Sequence, residues 1–97
     1  MKDNLTFIAI AASAVIKASA AKFGGMTVIT DGTNAATVTL ANSATAATTP
    51  VVAKQVVPGV SLQSNIIPAD NVNIGDGLYC TISVANGGTC LVIVYYK

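Results

Sequence analysis

The feature that most constrains this chain is a series of short β-branched runs, each ended by turn-forming residues. Residues 35–40 alternate strictly, with Ala36, Val38 and Leu40 on one face and alanine or threonine on the other. Residues 78–84 alternate in the same way. Because successive side chains of a strand point to opposite faces, this period of two predicts strands with one face on a core. Helical spacing of apolar residues is not sustained after residue 25, so the chain is predicted to be all-β.

Clusters of Gly, Pro, Asn and Asp divide the chain into strands and connections. Besides one strand near the N-terminus, we expect strands over residues 25–30, 35–40, 51–57, 60–62, 78–84 and 89–96. The Asp-Gly turn at residues 31–34 and the Asn-Gly-Gly loop at residues 86–88 each predict a β-hairpin. Residues 41–50 are predicted to form a loop or a frayed edge, and residues 65–74 an irregular crossover.

The number and spacing of these strands predict the architecture. About seven or eight antiparallel strands with evenly spaced turns indicate a single β-sandwich or jelly-roll-like domain. The length of 97 residues suits one domain. We expect residues 13–97 to form the β-sandwich and residues 1–12 to form an N-terminal arm or edge strand. Residues 89–96 are apolar on both faces, so the last strand is predicted to be central or covered on both sides.

The first twenty residues admit three interpretations: a membrane span, an export signal or a structural strand. A span requires about twenty apolar residues, whereas the apolar stretch without a charge covers only residues 5–16. Small residues after an apolar stretch resemble an export signal, but Asp3 lies where such signals are basic and Lys17 lies just before the expected cleavage site. We therefore predict a structural strand or arm.

Candidate interface residues lie at the two ends of the chain. They are Phe7, Ile8, Ile10, Tyr95 and Tyr96. We expect the first three, on the N-terminal arm, to contact a partner subunit. Adjacent strand residues point to opposite faces, so one tyrosine should pack inward and the other should face outward. The outward tyrosine is either simple strand-end packing or an interface anchor, a role in which tyrosine is enriched.

The low charge content favours a subunit of an assembly over a nucleic-acid-binding protein. Only 9% of residues are charged, against roughly 25% in ordinary soluble proteins. The net charge is +1, and the chain has no His, Arg, Glu or Trp. A net charge near zero promotes association, so we expect a subunit of an assembly with much of its surface covered. Five scattered lysines form no basic stripe, so a nucleic-acid partner is not expected.

Residues that carry catalysis or bind metals are scarce. Without His or Glu the commonest proton shuttles are missing, and no phosphate-binding glycine motif is present. Residues 70–77 resemble a calcium loop only weakly. Val72 and Ile74 cannot ligate through their side chains, and Thr81 stands where a bidentate Glu is needed. We predict no catalytic, cofactor-binding or metal site, and a protein that is not an enzyme.

The two cysteines, Cys80 and Cys90, raise the question of a disulfide. The expected hairpin pairs Val84 with Cys90 and Cys80 with Val94, which separates the two sulfurs by about 13 Å along the strand. A disulfide needs Cα atoms within about 7 Å. Both cysteines are therefore predicted to be buried free thiols.

The order of motifs resembles that of small virion structural proteins of tailed bacteriophages. The motifs are VIKA in residues 15–18, DGTNAATVTL in residues 31–40, GLY in residues 77–79 and VYY in residues 94–96. The resemblance covers roughly residues 14–97 and departs from the family pattern at residues 20–22 and 41–43. It implies a β-sandwich that serves as a non-enzymatic subunit of the virion. The first expectation is a head decoration (cement) protein, and the second is a head fibre, neck or tail component.

The resemblance also implies partners and a location. We expect contacts with the major capsid protein or other virion proteins, in a symmetric homo-oligomer such as a trimer. The protein would be assembled in the host cytoplasm and reside on the head surface or neck of the virion, with no membrane partner and no cofactor. From another class, an exported adhesin or carbohydrate-binding module, with about the first twenty residues removed, stays an alternative.

Overall fold

A computed structural model describes residues 6–59, 63–66 and 72–97 of the chain. Strands account for most of these residues, and one short 3₁₀ turn at Ala85–Gly87 precedes the last strand. The strands of the described residues are β1 (Thr6–Ile10), β2 (Ala14–Lys17), β3 (Ala21–Thr30), β4 (Ala36–Asn42), β5 (Val51–Val57), β6 (Gln63–Ile66), β7 (Val72–Ile74), β8 (Leu78–Val84) and β9 (Cys90–Tyr96).

The strands form two antiparallel sheets that pack together as a single β-sandwich, which confirms the predicted fold class. Sheet A has the order β1-β9-β3-β6, and β7 also pairs with β3. Sheet B has the order β2-β8-β4-β5. The core lies between the sheets and takes alternate side chains from both. Its largest fully buried members include Phe23, Met26, Val28, Val92 and Val94 of sheet A and Val38, Leu40, Val57 and Leu78 of sheet B.

Both predicted hairpins are wrong, because each turn connects one sheet to the other. The turn at residues 31–34 joins β3 of sheet A to β4 of sheet B. The turn at residues 86–88 joins β8 of sheet B to β9 of sheet A. In such an arch the two arms face each other across the core instead of sharing a ladder of hydrogen bonds. The alternation of apolar residues is the same in a hairpin and in an arch, so it does not distinguish them.

Strand boundaries agree with the sequence in some places and differ in others. The strands at Val51–Val57 and Leu78–Val84 have the predicted limits. The predicted strand at residues 60–62 lies outside the described residues. In the segment expected to be an irregular crossover, residues 65–66 belong to β6 and residues 72–74 form β7. The two strands lie one after the other along the same edge of β3 and pair with different parts of it.

The last strand is central, as predicted, but it is not covered on both sides. β9 lies between β1 and β3. Its inward residues Cys90, Val92 and Val94 are buried, whereas Leu91 on the opposite face is 39% exposed. The apolar residues on the outer face of β9 are therefore at the surface of the isolated chain.

The two cysteines are buried free thiols, as predicted, although the hairpin used to separate them does not exist. Cys80 pairs with Leu40 in sheet B, and Cys90 pairs with Thr30 in sheet A. Burial, followed by the charge of Cys90, raises the pKa of Cys80 to about 12. Burial, followed by the charge of Asp31, also raises the pKa of Cys90. Both side chains act as small core residues, since a raised pKa keeps a thiol in its unreactive form.

Candidate functional site

The outward surface of β1, β9 and β3, which we name the apolar face, is the main candidate site. Cross-strand register places Phe7 opposite Tyr95 and Ala9 opposite Ile93, while Ile29 lies opposite Leu91. It comprises the outward side chains of β1, of β9 and of residues 25–30 of β3, which are Phe7, Ala9, Thr27, Ile29, Leu91, Ile93 and Tyr95, and none of them is charged. Gln63 and Asn65 of β6 border this face. Beyond residue 24 of β3 the described part of sheet A therefore presents an uncharged and mostly apolar surface, which ends at the exposed Lys22 of β3.

An aromatic pair lies on the apolar face next to the edge of the sheet. The ring centroids of Phe7 and Tyr95 are 6.4 Å apart, and the ring planes are inclined by 51°. This tilted arrangement is a favourable one for aromatic pairs. Phe7 is 65% exposed, the largest exposure among the large apolar side chains of the described residues. A phenylalanine in such a position has little to contact within its own chain beyond Tyr95.

The structure divides the five residues singled out from the sequence between two sides of sheet A. Phe7 and Tyr95 face outward and contact each other. Ile8, Ile10 and Tyr96 are partly buried and pack against the core. This division follows the alternation expected for the two tyrosines. The role of all five in an interface stays a prediction.

Three large aliphatic residues of the apolar face were not singled out from the sequence: Ile29, Leu91 and Ile93. The sequence signal for Leu91 and Ile93 is that residues 89–96 are apolar on both faces of the strand. For Ile29 it is the unbroken β-branched run before Asp31. A strand buried on both faces and a strand with a partner-binding face have the same pattern, so the sequence alone could not assign the outer residues.

The outer face of sheet B is different in chemistry. Its outward side chains mix the hydroxyl and charged residues Thr37, Thr39, Lys54, Thr81 and Ser83 with the apolar residues Val15, Val56 and Tyr79. Hydroxyl and ammonium groups hydrogen-bond to water without a protein partner. The outer face of sheet B is therefore richer in hydroxyl groups than the apolar face, although it too exposes the apolar side chains Val15 (41%) and Val56 (61%).

At one end of the sandwich, the carboxylate of Asp31 links the two arches. Its Oδ1 accepts hydrogen bonds from the backbone N–H groups of Thr33 and Asn34, both at 2.8 Å. Its Oδ2 accepts from the Asn34 side-chain amide at 2.9 Å and from the backbone N–H of Thr89 at 3.1 Å. These bonds, led by the one from the Asn34 side chain, hold the pKa of Asp31 well below its ordinary value of 3.8. With both oxygens engaged, this carboxylate is a structural group and a poor proton acceptor.

A lysine-lined cleft lies near the junction of β2, β3 and β9. It has a volume of about 470 Å³ and is open to solvent. Its lining includes Lys17, Lys22 and Lys97, together with Asn73 and Ile74. Lys22 and Lys97 exchange two backbone hydrogen bonds of 2.9 Å, which hold the two backbone segments that carry these lysines side by side at the cleft. Three ammonium groups around one concavity create a positive potential that attracts anions.

Two further findings concern ligands and membranes. The described residues contain no cluster of three or more His, Cys, Asp or Glu side chains that could hold a metal ion. No helix within the described ranges is long and apolar enough to cross a membrane.

A scan against models of known protein families finds no match for this sequence, and a search of the curated proteins finds no relative.

Proposed function

We propose that the protein is a non-enzymatic structural subunit of a bacteriophage virion, and specifically a capsid decoration or cement protein. The observation that carries the proposal is the apolar face of sheet A, with Phe7 exposed beside Tyr95. The order of sequence motifs supplies the link to virions. In this role the face contacts the major capsid protein or another virion protein, and a head fibre, neck or tail subunit would use the same face.

The composition of the apolar face is that of an interface core. Interface cores are depleted in charged residues and enriched in aromatic ones. The apolar face carries the Phe7–Tyr95 pair near one end of β9 and Leu91 near the other, and none of its residues is charged. Burying apolar surface stabilises an assembly by about 25 cal/mol for each Å² removed from water. Each cement subunit bound to a shell then stabilises the assembled state by mass action.

The reactive groups described above support a role without catalysis. Asp31 uses both carboxylate oxygens in hydrogen bonds within the loops. Cys80 and Cys90 are buried, and their raised pKa values disfavour the nucleophilic thiolate. These groups stabilise the sandwich instead of facing a substrate.

The test is to purify virus particles from cells that express the chain and to measure the chain by mass spectrometry across a density gradient. We expect the chain to sediment with the particles in a fixed ratio to the major capsid protein. Leu91→Lys places a charge on the apolar face and should remove the chain from the particles. Val56→Lys adds the same charge to the outer face of sheet B and should not. Particles without the chain would refute the proposal.

A second candidate, an exported module that binds carbohydrate, is favoured by the lysine-lined cleft. Lys22 and Lys97, which are kept when the first twenty residues are removed, suit a sugar that carries carboxylate or sulfate groups. Titration with an acidic and with a neutral oligosaccharide, followed by NMR shifts of Lys22 and Asn73, tests this candidate. Selective binding of the acidic sugar that Lys22→Gln weakens and Lys54→Gln does not would support it. A mature chain beginning at residue 21 or 22 would support export.

A further inference from the structure

We propose that β1 is the docking edge for a second copy of this chain. In the pair, the two β1 strands lie antiparallel about a two-fold axis and join two copies of sheet A into one continuous sheet. The inference deepens the proposed assembly role, on which it rests for its biological setting, and it names the partner as the same chain. Three observations support this dimer. The other sheet edges are protected against pairing, β1 pairs with β9 in a regular register, and the sequence of β1 has no charge.

The edges of the two sheets differ in how they are protected against pairing. β5 carries the exposed Lys54 and is followed directly by Pro58. β2 has four residues, ends at Lys17 and has an irregular register with β8. The remaining edge is divided between two short strands, β6 and β7, which pair with separate parts of β3. Short strands, lysines, prolines and irregular registers are the usual devices that prevent edge-to-edge association.

β1 has none of these devices in its five residues. Its sequence, TFIAI, contains no charge and no proline. It pairs with β9 in unbroken register from Thr6 to Ile10. β-branched and aromatic residues, here Thr6, Phe7, Ile8 and Ile10, are those that favour strand pairing. The edge is therefore regular, and its sequence favours the addition of another strand.

The backbone of β1 specifies what can bind there. Alternate residues of an edge strand direct their N–H and C=O groups away from the sheet, where only another extended backbone satisfies them in register. The β1 strand of a second copy presents backbone N–H and C=O groups at the same alternate positions. An antiparallel pair of identical strands has two-fold symmetry, which is the commonest symmetry of homodimers.

Side-chain sizes indicate the register of the pair. A two-fold axis at Ile8 pairs all five residues of one β1 with those of the second copy. It places Phe7 opposite Ala9 of the second copy on the outer face. The small alanine leaves room for the phenylalanine ring, which contacts Tyr95 on its other side. The same complementary contact occurs twice by symmetry, and no like charges are opposed.

The pair also widens the apolar face. The apolar faces of the two copies become adjacent halves of one surface, since the sheet continues across the axis. Pairing of two five-residue strands buries less than a standard interface of about 1,600 Å². We therefore expect a weak dimer that forms at high concentration and is favoured when both copies bind one shell.

Analytical ultracentrifugation of the full chain tests the proposal over concentrations from about 1 µM to 1 mM. We expect the wild type to pass from monomer to dimer. Ala9→Lys, at an exposed position of β1, should raise the dissociation constant about tenfold or more. Val56→Lys adds the same charge on β5 and should leave the constant unchanged. A monomer at all concentrations, a trimer, or a dimer that is insensitive to Ala9→Lys would overturn the proposal.

Amide hydrogen exchange locates the contact directly. Dimer formation should slow the exchange of alternate amides in β1 at high concentration and leave those of β5 unchanged. A dimer without this protection would use another surface, and the proposal would fail. Particle binding by a strictly monomeric chain would overturn the edge pairing and leave the virion role intact. A β1 dimer that never binds particles would support the edge pairing and overturn the virion role.

Discussion

Asp31 and Thr89 are 58 positions apart in the sequence, yet the Asp31 carboxylate accepts a hydrogen bond from the Thr89 backbone N–H at 3.1 Å. The bond joins the arch between β3 and β4 to the arch between β8 and β9. A second contact reinforces it, in which the Asn86 side-chain amide donates to the Asn34 side-chain oxygen at 3.5 Å. One carboxylate thus fixes the relative position of the two connections at this end of the sandwich.

Replacing the carboxylate by an amide, in Asp31→Asn, should lower the free energy of unfolding at neutral pH. An amide offers a single acceptor oxygen, so part of the set of four hydrogen bonds is lost. Urea unfolding at pH 7 measures the change. Asp76→Asn makes the same charge change in the loop before β8 and should have a smaller effect. Equal stability of Asp31→Asn and the wild type would show that the link between the arches is dispensable.

The same residue should give the protein an acid-sensitive stability. The pKa of Asp31 in the folded chain lies well below its ordinary value of 3.8. The ionised carboxylate therefore stabilises the folded state above about pH 4, and this contribution is lost as the pH falls toward the folded-state pKa. Urea unfolding at a series of pH values from about 6 to 2 should show a decrease that is smaller in Asp31→Asn. Parallel curves for the two proteins would contradict the assignment.

Gly88→Ala should destabilise the fold by roughly 1–3 kcal/mol through steric overlap. A Cβ at this position would lie 2.4 Å from the Asn34 amide nitrogen and 2.6 Å from an Asp31 carboxylate oxygen. The backbone of Gly88 is extended, so the absence of a side chain and not an unusual φ is what the site requires. Gly75→Ala, where a Cβ would meet nothing within 4 Å, is the matched control. Thermal unfolding of both variants measures the difference, and similar losses would contradict the overlap.

The two phenylalanines provide a comparison between core and surface. Phe23 is 1% exposed and Phe7 is 65% exposed. Phe23→Ala should lower the free energy of unfolding by about 3–5 kcal/mol because it leaves a cavity. Phe7→Ala should lower it by less than about 1 kcal/mol and should weaken particle association. A large loss of stability in Phe7→Ala would mean that its ring serves the domain itself.

Both thiols should be unreactive in the folded protein. Cys80 and Cys90 are buried, and the pKa of each is raised by burial. A thiol reagent at about pH 8 should therefore label the chain only as fast as the chain opens, with full labelling in denaturant. Single Cys→Ala variants show which thiol reacts. Immediate labelling of the native chain would contradict the burial of that residue.

Local patterns of the sequence predict the fold class and most of the strands, but not β6 and β7. The alternation through Ala36, Val38 and Leu40 correctly identified the buried face of β4. The turn residues Asp31 and Asn86 correctly marked where the chain changes direction. These signals are local, so they could not show which strands pair. The Asp31 side chain itself satisfies the N–H groups of its turn, so the arms of the arch need no ladder between them.

The candidate site was predictable only in part for a related reason. Phe7 and Tyr95 were singled out from opposite ends of the chain, and the pairing of β1 with β9 brings them together. That pairing is set by the topology of the whole sheet, and neither the sequence of β1 nor that of β9 indicates it. For Leu91 and Ile93 the sequence predicts only a strand that is central or covered on both sides, because residues that face a partner and residues that face a second layer have the same composition.

The central position of β9 in sheet A has a consequence for synthesis of the protein. β1 and β3 are made early, yet each has β9 as its main neighbour. Sheet A therefore cannot close on the ribosome until Cys90–Tyr96 has emerged, and the nascent chain holds apolar strands without their partners until then. Folding should be late and cooperative, in the range of milliseconds to seconds typical of distant β-pairing. During that interval, crowding of nascent chains would favour misassembly between copies.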